Sequence, residues 1–323
     1  MPTRLRQRPE PAQGMTTPRT VRVGSRKSPL AIAQSEEVVA KLRTIFPAHD
    51  FTIVRISTGG DRDKVSSLQS LGRGTFSKDI EDALLRGEID LAVHSAKDLA
   101  PDLPDGLILG GVLDREDPRD VLLNRWGVTL AELPASARIG TGSPRRGAQI
   151  LALRPDLRVL PIRGNVGTRL EKSRGMDYDG IVLAAAGLLR LGMQSHITEY
   201  LNPHTFTPEA GQGTIALQVR REDVDTTEMI AAIDHQPSRN SLTAERAFVD
   251  VIGGGCKVPV AAYARSEGSK FRVSAMAALP DGSEMYRIEV ENEADDPAAS
   301  GARAAEVLLD QGARQIVEAG RLY

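Results

Sequence analysis

The sequence predicts a mixed α/β protein with two α/β domains and a smaller α+β domain at the C-terminus. Short apolar strands alternate with amphipathic helices from about residue 20 to residue 220, as sheets with crossover helices require. Two polar or Pro/Gly-rich stretches, 114–118 and 207–213, look like crossings between domains. After Arg221 the pattern changes, and meander strands follow from Val258. With 323 residues and 41% apolar residues, the chain is long enough for two or three domains.

Two crossings imply that the second domain is inserted into the first, with the chain returning at 215–220. The predicted divisions are a disordered tail at 1–18, a first domain at 19–115 and 214–234, an inserted second domain at 116–213, and a C-terminal domain at 235–323. The tail is rich in Pro, Arg and Gln and has no apolar core, so it is not a secretory signal. Whether Met1 or Met15 is the true start stays open.

Composition excludes several classes of function. A net charge of −2 gives no global attraction for polyanions, and 4% aromatic residues argue against base stacking. The longest apolar run, 181–189, is far short of a membrane span. One cysteine cannot form an internal disulfide, which fits the cytoplasm. Five scattered histidines show no ligand spacing, so we expect no bound metal. From the charge, the aromatic content and the short apolar runs, we also expect no nucleic-acid partner and no membrane span.

The first domain begins with a strand at 21–24, a polar loop and a helix at 30–46. Ser28 is a good N-cap and Pro29 a good first helical residue. Such a junction presents backbone N–H groups and a positive dipole end to an anion, and Arg26 and Ser28 lie on it. Ordinary loop and capping roles remain open for both.

A second strand at 51–57 is followed by a long polar, glycine-containing connection, which we interpret as functional or mobile. A helix at 76–86 and a buried strand at 89–93 lead into His94, Ser95, Ala96, Lys97 and Asp98. An acid and a base at the C-terminal end of a buried strand occupy the usual ligand position of an open α/β sheet. A surface ion pair is the alternative for Lys97 and Asp98, and His94 is interpreted as structural.

The second domain repeats this arrangement. A strand at 137–141 precedes a helix that Ser143 caps and that ends near Leu153. Arg145 and Arg146 fall in its first turn, where the helix dipole disfavours cations, so they suggest an anionic ligand; solvated arginines remain possible. A strand at 157–161 is followed by Arg163 and Arg169 around a glycine-containing helix start, and a strand at 179–185 precedes Arg190.

The C-terminal domain carries the single cysteine, Cys256, after three glycines. A helix at 242–251 precedes it; strands at 258–264, 271–277 and 285–290 and a final helix at 298–319 follow it. Lys257 would favour the reactive thiolate. The cysteine either carries a covalent group or is a small buried apolar residue in a turn.

The arginines with loop positions need a polycarboxylate or phosphate ligand, because the guanidinium fits planar anions in a bidentate manner. They are Arg26, Arg73, Arg145, Arg146, Arg163, Arg169 and Arg190. A phosphate-binding loop of the G-x-x-x-x-G-K-[ST] type is absent from the sequence.

From about Val21 to its end, the chain resembles the porphobilinogen deaminases, also called hydroxymethylbilane synthases. The matching segments are 26–31, 94–98, 138–146, 163–170, 183–187, 211–213, 242–247 and 254–259. Their order and spacing over three domains make coincidence implausible.

The resemblance implies two domains built like type II periplasmic binding proteins plus the C-terminal domain. It implies a cytoplasmic, monomeric transferase of tetrapyrrole and haem biosynthesis. This enzyme joins four porphobilinogen molecules head to tail, releases ammonia each time, and hydrolyses off the linear product hydroxymethylbilane. A dipyrromethane cofactor, held by a thioether to Cys256, primes the chain.

The resemblance also assigns roles to individual residues. Asp98 and Arg26 are the implied catalytic groups, with Asp98 stabilising the cation that deamination leaves and Arg26 serving as a proton donor. The implied cofactor contacts are Cys256, Ser95, Lys97, Asp98, Thr141, Ser143, Arg145, Arg146 and Arg169. The implied substrate contacts are Arg26, Ser28, Arg163, Arg169, Arg190 and Gln212. Arg73 and Phe76 are placed in a mobile loop.

Some positions depart from the commonest bacterial pattern of that family. Gln69, Arg73, Thr75, Gly142, Pro144 and Lys257 stand where other residues are usual. The three loop departures put the role of that loop in doubt. A two-lobed anion-binding receptor without chemistry is the alternative function, but it leaves Asp98 and the cysteine domain unexplained.

Overall fold

The computed structural model describes residues 18–59, 77–253, 258–267, 270–293 and 295–321. Within these ranges the strands form three sheets. The strands are β1 Thr20–Arg26, β2 Asp50–Ile56, β3 Leu91–Ser95, β4 Leu107–Val112, β5 Asp120–Asn124, β6 Arg138–Gly140, β7 Arg158–Leu160, β8 Gly180–Ala184, β9 Glu199–Tyr200, β10 Ile215–Arg220, β11 Val260–Glu267, β12 Lys270–Ala278 and β13 Met285–Glu293.

The helices connect and cover these sheets. They are α1 Pro29–Ile45, α2 Lys78–Leu85, α3 Pro144–Leu153, α4 Val166–Ser173, α5 Ala185–Arg190, α6 Val224–Ala231, α7 Gln236–Ile252, α8 Pro297–Leu308 and α9 Arg314–Arg321. Short 3-10 turns occupy Ala96–Asp98, Leu130–Glu132 and Gln194–His196.

The first two sheets share one plan, which confirms the predicted fold class. The first has the order β2-β1-β3-β10-β4, and the second has the order β7-β6-β8-β5-β9. In each, three neighbouring parallel strands are followed by one antiparallel strand, β10 in the first and β5 in the second. The fifth strand, β4 or β9, pairs antiparallel with that strand at the edge of the sheet. Because the carboxyl ends of parallel strands meet at one edge of a sheet, loops of both sheets can build a ligand site there.

The two crossing segments lie side by side. Glu116 N donates to Gly213 O at 3.2 Å, and Gln212 Nε2 donates to Pro118 O at 2.8 Å. Gly213 has a φ of 87°, and a Cβ there would meet Glu116 O at 2.3 Å, so only glycine permits this contact. The return of the chain as β10 is therefore observed, while the exact domain boundaries stay a prediction.

The C-terminal unit is an antiparallel sheet, β11-β12-β13, packed on α7 and α8 around a core that includes Phe248, Phe271 and Leu308. Its other side meets α3 of the second unit through a cluster containing Ala148 and Met276. The prediction of one continuous helix over 298–319 is wrong. The helix is interrupted at 309–313, because Gly312 takes a φ of 119°.

Local capping follows the sequence closely. Ser28 Oγ accepts a hydrogen bond from Ala31 N at 3.3 Å, and Pro29 begins α1. Ser143 Oγ accepts from Arg146 N at 3.4 Å, and Pro144 begins α3. Both predicted strand–loop–helix junctions are confirmed, and they place Arg26, Arg145 and Arg146 at the edge where the strands end.

Candidate active site

A small cleft, open to solvent, lies where β1 and β3 end and α1 begins. β1 and β3 are neighbouring parallel strands, so Arg26 at the end of one and Asp98 after the other meet at the same edge. Ser28, Gln34, His94 and Ser95 also line the cleft, with Leu30, Ala31, Ser77 and Val93. Four residues to which the resemblance assigns separate roles, Arg26, Ser28, Ser95 and Asp98, therefore line one cleft, and their roles stay predictions.

Asp98 is a carboxyl group without a strong partner. Arg26 Nη1 lies 3.8 Å from Asp98 Oδ2, and no hydrogen bond to the Asp98 carboxylate is found among the described residues. Its side chain keeps 36% of its surface exposed, yet the surrounding cleft wall removes enough water that burial raises the pKa of Asp98. The positive charges of Lys97 and Arg26 oppose this rise. Such a carboxyl group can both bind N–H groups and exchange a proton.

Lys97 is turned toward the crossing segment. Its Nζ donates to Gln212 Oε1 at 3.2 Å and lies 3.6 Å from Glu209 Oε2. Gly211 makes this approach possible: its φ is 76°, and a Cβ there would meet Lys97 N at 2.9 Å. Lys97 and Asp98 are therefore not a simple surface ion pair.

On the second sheet, Arg145 and Arg146 converge on Asp120, a fully buried carboxylate at the start of β5. Arg145 Nη1 donates to Asp120 Oδ2 at 2.7 Å, and Arg146 Nε donates to Asp120 Oδ1 at 2.9 Å. Gln212 Nε2 donates to the same Oδ1 at 3.0 Å. Burial alone would raise the pKa of Asp120, but the two arginines and these hydrogen bonds lower it to about 2.

The protein itself supplies one carboxylate partner, Asp120, for Arg145 and Arg146. An external anion is therefore needed to balance only part of their positive charge. One carboxylate neutralises one of two guanidinium groups. Nε and Nη2 of Arg145 are buried and have no hydrogen-bond partner among the described residues. Because a buried donor without a partner is costly, the protein satisfies the Arg145 guanidinium only in part.

Arg169, which follows β7 of the second sheet, interacts electrostatically with Asp98. It lies on α4, where Asn165 caps the helix, and its Nε donates to Gly164 O at 2.8 Å. Burial and the positive charge of Arg146 together lower the pKa of Arg169 to about 10, and the charge of Asp98 opposes both. The charge of Arg163 acts on Arg169 in the same direction as Arg146. Arg169 therefore lies within electrostatic reach of both Asp98 and the arginine pair.

Other predicted contacts have internal partners. Arg190 Nε donates to Glu37 Oε2 at 3.0 Å, and its Nη1 donates to Gly213 O at 3.1 Å. Ser95 exchanges hydrogen bonds with Gln34, at 3.0 and 3.2 Å. Thr141 Oγ1 accepts from Ser143 N at 3.2 Å. Ligand contacts by Arg190, Ser95, Thr141 and Gln212 stay predictions.

Three predicted residues, Cys256, Arg73 and Phe76, lie outside the described residues, as do the loop departures Gln69 and Thr75. In the described part of the chain, no group of three or more His, Cys, Asp or Glu side chains could hold a metal ion. Nor does any helix there have the length and apolar character to span a membrane.

Sequence reasoning missed Asp120, Glu209 and Gln34. Asp120 precedes the apolar run of β5, and a charged residue at the start of a buried strand was the available signal. Glu209 and Gln34 had no signal of their own, because their partners lie 112 and 61 residues away, at Lys97 and Ser95.

Comparison with known proteins identifies the family of the chain. Two family models match the chain: the dipyrromethane cofactor binding domain of porphobilinogen deaminase over residues 21–228, and the C-terminal domain of porphobilinogen deaminase over residues 240–310. Porphobilinogen deaminase of Alkaliphilus metalliredigens is 44% identical over 301 residues, covering 93% of this chain and 95% of the relative. That of Bacillus subtilis is 42% identical over 303 residues, covering 93% and 96%. The chain therefore belongs to the porphobilinogen deaminase family.

Proposed function

We propose that this chain acts as a hydroxymethylbilane synthase through the cleft around Asp98. The enzyme condenses four porphobilinogen molecules head to tail, releases one ammonia for each, and hydrolyses off hydroxymethylbilane. The observation that carries the assignment of the site is a carboxyl group of raised pKa, with no hydrogen bond among the described residues, beside Arg26 and within reach of Arg169. The same cleft therefore offers one reactive acid and several carboxylate-binding cations.

The side chains present fit a dipyrromethane cofactor. Each of its two pyrroles carries an acetate and a propionate, so the cofactor brings four carboxylates. Arg145 has two buried N–H groups without partners in the described part of the chain, and burial and the neighbouring cations lower the pKa of Arg169. Both would be stabilised by a bound carboxylate. The cofactor would be held through a thioether to Cys256 and through Ser95, Lys97, Asp98, Thr141, Ser143, Arg145, Arg146 and Arg169.

Asp98 is the main catalytic group of this proposal. The bound cofactor supplies the pyrrole carbon to which the first substrate is joined. Loss of ammonia from a substrate leaves a positive charge on its ring and methylene carbon, and the Asp98 carboxylate would stabilise that charge. Asp98 would also bind pyrrole N–H groups and accept the proton that the condensing ring carbon loses. Arg26, whose Nη1 lies 3.8 Å from Asp98 Oδ2, would serve as the proton donor.

The incoming substrate would bind at the α1 end of the cleft. Arg26 and Ser28 lie there, and Arg163, Arg169, Arg190 and Gln212 are the further proposed contacts of the growing chain. Arg73 and Phe76 are proposed to act from a mobile loop. We also propose that the protein is a cytoplasmic monomer without nucleic-acid partners.

The intact mass of the denatured protein tests this function, with Cys256→Ser as the control. We expect an added mass of two linked pyrrole units, absent from Cys256→Ser, and a ladder of further units after brief incubation with porphobilinogen. A wild-type protein without added mass, even after that incubation, would overturn the covalent cofactor and with it the synthase assignment.

A further inference from the structure

His94 lines the cleft, although nothing in the proposed chemistry uses it. It is the next-to-last residue of β3, only 6% exposed, and its Nε2 lies 3.0 Å from Gln218 Oε1 on β10. Gln218 Nε2 donates to Glu81 Oε1 on α2 at 3.2 Å. His94, Gln218 and Glu81 thus form a buried polar chain that ends at the cleft.

This chain fixes the protonation of the imidazole. Because the amide nitrogen of Gln218 faces Glu81, its oxygen faces His94, so Nε2 of His94 carries the proton and donates it. Burial, with a smaller contribution from the charge of Arg26, lowers the pKa of His94 to about 4, although the hydrogen bond to Gln218 opposes this shift. The ring is therefore neutral near pH 7, and Nδ1 is a hydrogen-bond acceptor.

Nδ1 of His94 remains available to a ligand. No group in the described ranges bonds to it, and it is not among their sealed polar atoms that lack a partner. His94 is 6% exposed and is one of the residues that line the cleft, so Nδ1 is the ring nitrogen left for a ligand there. The neighbouring Arg26 can only donate, and Ser95 and Gln34 bond each other.

We propose that Nδ1 of His94 accepts a hydrogen bond from the aminomethyl ammonium group of porphobilinogen. This inference rests on the proposed function. Arg26 and Ser28 suit the substrate carboxylates, and Asp98 suits the ring N–H, so the amine is the substrate group left without an acceptor. A neutral acceptor also suits a leaving group: ammonia departs with the electron pair of the C–N bond, and a carboxylate facing the ammonium would hold that charge back.

Two isosteric variants separate this contact from a structural role. His94→Gln can place its amide where Nε2 lies and keep the bond to Gln218, but it loses the acceptor at Nδ1. His94→Asn can place its amide oxygen where Nδ1 lies, but it loses Gln218. We expect His94→Gln to raise KM for porphobilinogen roughly ten- to hundredfold at an unchanged Tm, since a hydrogen bond to a charged group is lost. His94→Asn should lower Tm and keep KM closer to wild type.

The inhibition constant of a porphobilinogen analogue with methyl in place of aminomethyl completes the test. We expect the same value for wild type and His94→Gln, because that analogue has no ammonium. A KM unchanged in His94→Gln, or an inhibition constant that rises together with KM, would overturn the amine contact. Failure of the wild type to consume porphobilinogen would instead remove the proposed function, so the two failures are distinguishable.

Discussion

Asp98 and Asp120 are both aspartates beside the strand ends of an α/β sheet, and the protein treats them in opposite ways. Asp120 is fully buried, bonded by two arginines and a glutamine, and its pKa falls to about 2. Asp98 is partly exposed, has a cation only at 3.8 Å, and its pKa is raised. Satisfying a carboxylate fixes the structure around it, whereas leaving one unsatisfied keeps it ready for a ligand.

The largest effect should come from removing the reactive carboxylate. We expect Asp98→Asn to fold and to lose turnover by about 10²- to 10⁴-fold, because the charge that stabilises the cation and moves protons is gone. Its free energy of unfolding should stay the same or rise, since a costly partly buried charge is removed. Steady-state rates and denaturant unfolding measure both, with the exposed Asp102→Asn as the control. Near-normal turnover would contradict the role of Asp98.

The reverse pattern is expected at Asp120. Asp120→Asn leaves Arg145 and Arg146 buried without a counterion, which should lower the free energy of unfolding by about 3–5 kcal/mol. Denaturant unfolding measures this loss. Asp156→Asn, in an exposed pair with Arg154, is the control and should cost less than about 1 kcal/mol. Equal losses in the two variants would show that burial of the Asp120 pair contributes nothing special.

The lowered pKa of Asp120 also predicts how its contribution to the free energy of unfolding changes with pH. The native pKa of Asp120, about 2, lies below the ordinary value of 3.8, so the unfolded chain takes up the proton first as the pH falls. The stability contributed by Asp120 is complete above about pH 4 and is lost as the pH falls toward 2. The difference in unfolding free energy between wild type and Asp120→Asn should shrink over this range. A constant difference would mean that the Asp120 charge does not carry the effect.

The position of Asp98 after the end of a strand could be predicted from the sequence, whereas the contacts of Asp120 could not, and the reason is physical. Asp98, Arg26, Ser28 and Ser143 follow from local rules, because strand ends and helix caps are set by residues a few positions apart. Asp120 meets Arg145 and Gln212 across 25 and 92 residues, a result of the strand order β6-β8-β5 and of the second crossing. No local pattern encodes those distances.

For the same reason, clustering of the arginines could be predicted from the sequence, but not which of their positive charges are neutralised by carboxylates of the protein itself. Arg145, Arg146 and Arg190 all have internal carboxylate partners. Among the predicted ligand-binding arginines of the second domain, Arg163 and Arg169 have no carboxylate salt bridge within the described ranges. Arg163 and Arg146 therefore test the two kinds of arginine.

Arg163→Ala should affect function alone. We expect cofactor loading or chain elongation to fall roughly ten- to hundredfold, the loss of one or two hydrogen bonds to a carboxylate, with an unchanged free energy of unfolding. Arg146→Ala should reduce both, because it also leaves Asp120 with one arginine fewer. The mass ladder on Cys256 and denaturant unfolding distinguish the two variants. Normal cofactor loading and turnover in both would refute the carboxylate-binding role.

The smallest expected effect concerns Arg190, which is 6% exposed and held by Glu37 across the two α/β sheets. Glu37 is 34% exposed, so Glu37→Gln should change the free energy of unfolding by less than about 1 kcal/mol. If Arg190 binds a substrate carboxylate, Glu37 competes with that carboxylate, and its neutralisation should lower KM for porphobilinogen by at most about fivefold. The exposed Glu36→Gln is the matched control. An unchanged KM in Glu37→Gln would group Arg190 with Asp120, as a residue whose charge is already satisfied within the fold.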